Sequence, residues 1–298
     1  ISPTLNTNVD DIRATPYIEK DKETVVATVR KCISLSKTDW DSFETSWDFK
    51  RHPLLDCMEE AEREIPVVRY DENGLYSDSE IEIYISVENA FLKWQAICED
   101  RFQQLKANEE ELNRIFIDIY GLQDELTPEV EDKDVTVRKA DRERDVKSLI
   151  SYLVGVVMGR YSLDVPGLAY AGGEWDASKY QTYHPDEDGI VPIYRGIGME
   201  DGLTAQLIVL LKRIYGEDTY RQNIDFIAES IGHNRNGASE EALNRYLNDV
   251  FFANHLKIYQ KRPIYWLFTS GKNSGFKCLI YMHRYTRDTL ARINSRYF

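Results

Sequence analysis

The sequence lacks the features that mark membrane, secreted and zinc-stabilised proteins. Its longest apolar run, residues 149–158, is about half as long as the roughly 20 residues that a membrane-spanning helix needs. No signal sequence is visible. The four cysteines stand singly, without a Cys-x-x-Cys pair, so we expect neither a zinc site nor a disulfide framework. These absences favour a cytoplasmic protein with reduced thiols, no membrane partner, and one large or two modest cores.

Charge is distributed unevenly along the chain. The formal net charge is −14, yet residues 251–298 (the basic segment) contain nine Lys and Arg and one acid, so the basic segment carries +8 and the first 250 residues carry −22. Clustered positive charge attracts polyanions. Aromatic residues are interleaved with these bases, as on surfaces that bind nucleic acid. The alternative is a basic subdomain that docks on the acidic remainder of the chain, with its rings in the core.

Hydrophobic periodicity predicts a mainly α fold. The predicted elements are helices at 21–37, 78–120, 140–160, 203–215, 220–231 and 240–259, a β-hairpin with strands 264–269 and 276–282, and a closing helix at 287–297. Residues 40–55 have no clean period and are predicted to form a strut whose rings, including Trp40 and Trp47, plug into a core. Residues 162–202, rich in Gly and Pro, are predicted to be an irregular functional loop or lid.

The helix predicted over 78–120 has the clearest hydrophobic periodicity in the sequence. Its apolar positions alternate by three and four residues, and at 1.5 Å per residue about 40 residues would span roughly 60 Å. Its expected partner is the helix at 140–160, where Gly155 and Gly159 would allow a close crossing. The predicted architecture is therefore a long antiparallel helical hairpin or spacer plus a helical C-terminal subdomain with a small β-hairpin.

Two acidic clusters have the composition of a metal site without its geometry. Residues 186–188 (Asp-Glu-Asp) lie near His184, but three consecutive acids do not face one point on a regular backbone, which favours a solvated turn. The segment 128–133 lacks the strand context and spacing of a metal-dependent nuclease. An independent nuclease would have to show metal-dependent cleavage, and we expect no metal ligands in this chain.

Seven blocks of the sequence resemble one protein family. They include KRPIYWLF at 261–268, IYMHRY at 280–285, NEEELNRIFIDIYGL at 108–122, DWDSFETSWDF at 39–49 and GRYSLD at 159–164, with further matches at 270–277 and 288–293. Together they cover nearly the whole chain. They resemble the C-terminal end of the large adenine-specific DNA methyltransferases of bacterial phage-exclusion (BREX) systems, the PglX type, which are related to the type IIG restriction–modification methylases.

The resemblance implies a division of the chain into three parts. Residues 1–77 would be the segment leaving a target-recognition domain plus a connector, and 78–160 the long-helix spacer. Residues 161–298 would be the C-terminal helical subdomain, with the irregular loop at 162–202 and a basic hairpin and helix at 259–298. The parent enzyme would bind S-adenosylmethionine and methylate a flipped adenine in a short asymmetric site.

The motifs of methyl transfer themselves do not occur in this chain. The resemblance calls for a Gly-rich turn that holds S-adenosylmethionine and an Asn/Asp-Pro-Pro-aromatic loop that grips the flipped base. Residues 195–198 have the wrong glycine spacing, and residues 263–265 have a single proline. We therefore expect no catalytic or cofactor-binding residue here and predict that this chain is inactive by itself.

Two functions of different class remain open. The first is a non-catalytic DNA-positioning and spacer region whose partners are double-stranded DNA and the upstream methyltransferase and target-recognition domains of the same protein. The candidate phosphate contacts are Lys261, Arg262, Lys272, Lys277, Arg284, Arg287 and Arg292. The second is a protein–protein docking module for other phage-defence subunits or for a phage-encoded DNA-mimic inhibitor.

Overall fold

The computed structural model describes residues 9–14, 16–64, 86–232, 238–272 and 275–298. Its helices and strands, in chain order, are α1 Val9–Ala14, α2 Lys22–Asp41, α3 Pro53–Glu64, α4 Val87–Tyr120, α5 Arg142–Val157, β1 Ile190–Pro192, α6 Leu203–Tyr215, α7 Tyr220–Ser230, α8 Ser239–Asp249, α9 Phe251–Ile258, β2 Tyr265–Thr269, β3 Lys277–Tyr281 and α10 Thr289–Tyr297. The predicted start of the long helix at residue 78 and the first eight residues lie outside these ranges.

Helix dominates the described residues, so the mainly α prediction is confirmed. The bounds of α6 agree with the predicted 203–215, and the long helix ends at Tyr120 as expected. The single helix expected over 240–259 is instead two helices, because the backbone leaves helical geometry at Val250, with φ −120° and ψ −40°. No helix in the described ranges is long and apolar enough to span a membrane.

The chain divides into two compact units, residues 1–39 with 99–139 and residues 40–98 with 140–298. The first unit has a small core in which Phe102 and Leu105 of α4 pack with Val135 and Val137. Beside this core, the buried carboxylate of Asp39 accepts a hydrogen bond from Nε of Arg138 at 2.9 Å. The division of the chain by function at 77/78 and 160/161 stays a prediction.

The core of the second unit is built around α5. Every residue of this helix from Leu149 to Val157 is buried, which explains the long apolar run, since a helix that is apolar on all sides belongs in a protein interior. The first turns of α4 join the same core. There Nε1 of Trp94 donates a hydrogen bond to Oδ2 of Asp145 in α5 at 3.1 Å. The predicted contact between the long helix and α5 is seen at this end of α4.

A three-stranded antiparallel sheet, in the order β1-β3-β2, completes the second unit. The predicted hairpin forms with Trp266 opposite Ile280. One face of the sheet packs with Ile293 of α10, and the other joins the main core through Leu279 and Tyr281. β1 was not predicted, because three residues within a Gly- and Pro-rich segment are too few to show a strand period.

The predicted role of the tryptophans in residues 40–55 is wrong. Trp47 is fully exposed and Trp40 is 54% exposed, whereas Phe49 and Glu44 of the same segment are buried. α2 continues to Asp41, so Trp40 lies on its last turn and outside the irregular segment. Ring size alone favours burial, but which ring enters a core depends on partners that local sequence does not specify.

The two glycines near the end of α5 do not serve the close helix crossing that was predicted for them. Gly159 lies beyond the helix end with φ +79°, a conformation that glycine adopts without strain. Gly155 lies within the helix, and a Cβ there would stand 2.5 Å from Cδ2 of Tyr161. The close neighbour of Gly155 is therefore a buried ring rather than a second helix.

Replacing Gly155 by Ala should lower the free energy of unfolding by about 1–3 kcal/mol, because the added methyl group overpacks a closed core. Chemical denaturation would measure this. The control is Gly196→Ala, where the added Cβ has no neighbour within 4 Å. Equal stability of the two variants would show that the ring of Tyr161 can move aside.

Candidate nucleic-acid interface

Five of the predicted phosphate contacts lie exposed along the basic segment. Lys261 and Arg262 precede β2, Lys272 lies in the hairpin connection, Arg287 precedes α10, and Arg292 lies on α10. None of the five forms an ion pair with another residue that the structure describes. Their charges are available to an external anion.

Lys277 and Arg284 are used inside the protein. Nζ of Lys277 donates a hydrogen bond to the carbonyl oxygen of Asn248 at 3.3 Å. The guanidinium of Arg284 donates to the carbonyl oxygens of Met158 at 3.3 Å and Asp186 at 2.5 Å, and to that of Glu187. These bonds join the irregular loop to the end of α5 and leave Arg284 little freedom to reach a phosphate.

The irregular loop of residues 162–202 is held by its own side chains as well. The ring of Trp175 stacks on Tyr180, with centroids 4.7 Å apart and planes 7° apart, and the guanidinium of Arg284 lies 4.4 Å from the Trp175 ring centroid. A cavity of about 180 Å³ opens beside these groups and is also lined by His184 and Pro185. Trp175 is 37% exposed, and part of its ring surface is occupied by Tyr180 and Arg284.

The acidic cluster at 186–188 forms a turn, as the sequence predicts. Oδ1 of Asp186 accepts hydrogen bonds from the N–H groups of Asp188, Gly189 and Ile190 at 3.2, 2.7 and 3.0 Å. Burial, together with the neighbouring Asp188 carboxyl, raises the pKa of Asp186 to about 6. Unlike the predicted solvated turn, this carboxyl is half-buried and organises the entry into β1.

A buried polar cluster, which sequence reasoning missed, supports the hairpin. Oγ of Ser151 donates a hydrogen bond to Oε2 of Glu44 at 2.6 Å. Burial raises the pKa of Glu44, and Ser151 and the charge of Arg160 offset this only in part. Nε2 of His255 accepts hydrogen bonds from the N–H groups that lead into β2, those of Ile264 at 2.9 Å and Tyr265 at 3.3 Å. In the sequence, the only sign of this cluster is the position of Arg160 close to the longest apolar run.

Two large rings remain on the surface beside the basic residues. Trp266 of β2 is 43% exposed and Tyr285 is 40% exposed. Their ring centroids are 5.4 Å apart, with the planes at 56°. The aromatic residues that alternate with bases in the sequence thus fall into two groups. Tyr265 and Tyr281 lie in the core, whereas Trp266 and Tyr285 lie on the surface.

Two curated proteins match the chain along its whole length, whereas no protein-family model matches it. It is 45% identical over 300 residues to "Adenine-specific methyltransferase PglX" of Lacticaseibacillus casei (strain Zhang), covering 100% of the chain and 23% of that protein. It is 34% identical over 324 residues to "Adenine-specific methyltransferase BrxX" of Escherichia coli O9:H4 (strain HS), covering 100% of the chain and 25% of that protein. The chain belongs to the BREX methyltransferase family.

Membership of the BREX methyltransferase family confirms the resemblance carried by the sequence blocks. The chain spans about a quarter of the length of the curated relatives it matches. It therefore corresponds to one portion of a BREX methyltransferase, and the exposed cations described above belong to that portion.

Proposed function

We propose that this chain is a DNA-positioning and spacer portion, itself non-catalytic, of a site-specific adenine-N6 DNA methyltransferase that acts in phage defence. The whole protein would use S-adenosylmethionine as methyl donor and double-stranded DNA as substrate. The observation that carries the proposal is the row of exposed cations in the basic segment, which have no carboxylate partner in the part of the chain that the structure describes.

Two lysines of the first unit, by contrast, are paired with carboxylates. Nζ of Lys106 lies 2.7 Å from Asp132, and Nζ of Lys139 lies 3.3 Å from Glu99. A lysine engaged in this way must give up a carboxylate before it can bind a phosphate. The unpaired cations of the basic segment need no such exchange, and each phosphate that they neutralise releases a counterion.

We also propose that α4 acts as a spacer. It is a single helix of 34 residues, Val87–Tyr120. A continuous helix has a fixed rise of about 1.5 Å per residue. Such an element is suited to keeping a fixed separation along the chain between parts that bind DNA.

Charge reversal tests the DNA-binding function. The triple variant K261E/R262E/K272E should bind a fluorescent 30-base-pair duplex at least tenfold more weakly than the unchanged chain in 50 mM salt, as measured by fluorescence anisotropy. The slope of log K against log salt should be shallower by about 2–3 for this variant than for the unchanged chain, because each phosphate contact contributes roughly 0.9 to that slope.

The matched control changes three exposed cations of the first unit, K20E/R30E/K31E, and so alters the net charge equally. The control should bind DNA with nearly the affinity of the unchanged chain. Equal weakening in both triple variants would mean that net charge, and not the basic segment, governs binding. No binding by the unchanged chain at low salt would overturn the DNA-positioning function.

Protein docking is a second candidate, favoured by the fully exposed ring of Trp47 and the exposed ring of Trp40. Asp48 lies beside Trp47 in the chain, which suits a partner with a basic, partly apolar surface. The partner would be another phage-defence subunit, whereas a DNA-mimic inhibitor would bind the basic segment instead. The variant W40A/W47A should reduce co-purification with co-expressed defence subunits and leave DNA affinity unchanged.

A further inference from the structure

The exposed ring pair lies at one end of the hairpin. Along β2, Tyr265 enters the main core, whereas Trp266 is on the opposite face, across from Ile280. Ile280 packs in the small core with α10. Trp266 and Tyr285 thus extend an apolar face into solvent, and each keeps about two-fifths of its surface exposed.

Two unpaired cations stand close to this ring pair in the chain. The N–H of Met282 donates a hydrogen bond to the carbonyl oxygen of Ile264 at 3.1 Å, which closes this end of the hairpin. Arg262 stands two residues before Ile264, and Arg287 stands two residues after Tyr285. Both arginines therefore lie at the same end of the hairpin as the rings, and both are exposed without an ion pair to any described residue.

Exposed rings with free cations near them in the chain match the chemistry of a nucleotide whose base is out of the helical stack. Aromatic side chains stack on the π face of any base, while arginines neutralise the phosphates on either side. In intact duplex DNA the base faces are covered by their neighbours, so only an unstacked base can offer a face. An enzyme that modifies a base within DNA has to unstack it.

We propose that Trp266 and Tyr285 form a stacking site for an unstacked base in the bound DNA, with Arg262 and Arg287 on the flanking phosphates. The inference rests on the proposed DNA-positioning function and adds a preference within it. The surface favours DNA that contains unpaired bases over an uninterrupted duplex.

The test compares two 30-base-pair DNAs, one fully paired and one with a central four-base mismatch containing 2-aminopurine. The unchanged chain should bind the mismatched DNA about tenfold more tightly, since stacking on one base contributes roughly five- to hundredfold in affinity. The fluorescence of 2-aminopurine should be quenched on binding. The variant W266A/Y285A should lose the preference and the quenching while keeping the salt slope, and W266F/Y285F should retain most of both.

The outcomes separate this inference from the function on which it rests. Salt-dependent binding of both DNAs with equal affinity and no quenching overturns the stacking site and leaves DNA positioning intact. Equal loss of affinity for both DNAs in W266A/Y285A also overturns the stacking site, because it shows a general or structural role. No binding of either DNA at low salt overturns both proposals. The quenching measurement uses the unchanged chain, so it stands even if the alanine variant fails to fold.

Discussion

Replacing Arg160 by Met is expected to lower the free energy of unfolding by about 2–3 kcal/mol at pH 7, because it removes a buried guanidinium whose charge favours the ionised form of the buried Glu44 carboxyl. Arg160 and Glu44 are both buried in the second unit. Burial raises the pKa of Glu44, and the charge of Arg160 acts in the opposite direction. The guanidinium also lies 5.2 Å from the ring centroid of Tyr161. Urea denaturation followed by circular dichroism would measure the loss.

A double variant separates the charge from the packing. In E44Q/R160M both charges are absent, so this protein should regain at least about 1 kcal/mol relative to the sum of the two single losses. The control R287M removes an exposed arginine and should change stability by less than about 0.5 kcal/mol. Strict additivity of the E44Q and R160M losses would show that the two charges do not interact.

The helices were predictable where their pattern is local. The apolar residues of α6 recur at helical spacing, and Gly216 follows the helix with φ +89°, so its bounds agree with the expectation. The β2–β3 hairpin was predictable for the same reason, since its strands alternate between two faces. β1 depends on pairing with β3, about 90 residues further along the chain, and no window around β1 contains that information.

The sequence could not predict which cations bond within the protein and which stay exposed. Arg284 and Arg287 look alike there, as bases beside aromatic residues in one segment. They differ because the carbonyl groups of Asp186 and Glu187, nearly 100 residues away, meet the guanidinium of Arg284. Exposure of the other cations is a tertiary property of the same kind. Their contact with phosphates stays a prediction until DNA binding is measured.

The buried polar cluster was even less predictable from the sequence than the use of the cations. Glu44 comes from the irregular segment after α2, Ser151 from α5, and His255 from α9. Each position looks unremarkable in its own window, because buried charged and polar groups become interpretable only with their partners. The sequence could predict the hairpin but not the imidazole that holds its first strand.

That imidazole should make the second unit sensitive to acid. Nε2 of His255 accepts two backbone hydrogen bonds, so the ring must be neutral there. Burial, followed by the charge of Arg160, lowers its pKa from 6.5 to about 4. Because the folded pKa lies below the unfolded one, the stabilisation is present above pH 6.5 and is lost as the pH falls toward 4. The loss through His255 should reach about 3 kcal/mol at pH 4.

Other buried groups also make stability depend on pH in this range, and some lower it while others raise it as the pH falls. His52 acts in the same sense as His255, since burial lowers its pKa to about 3. Burial raises the pKa values of Glu44 and Asp186, the latter to about 6, so these carboxyls add stability as the pH falls. The pH dependence of the unchanged chain is therefore a sum of opposing effects, and a variant is needed to isolate His255.

His255→Gln provides that variant, because its side-chain carbonyl can accept from the same N–H groups and does not titrate. Between pH 7 and pH 4 the unfolding free energy of the unchanged chain should fall by about 3 kcal/mol relative to that of H255Q. The control H184Q replaces an exposed histidine and at pH 7 should have nearly the stability of the unchanged chain. A constant difference between H255Q and the unchanged chain across this range would mean that the imidazole is not held neutral by the fold. A widening difference would identify His255 as a group that couples the position of β2 to pH.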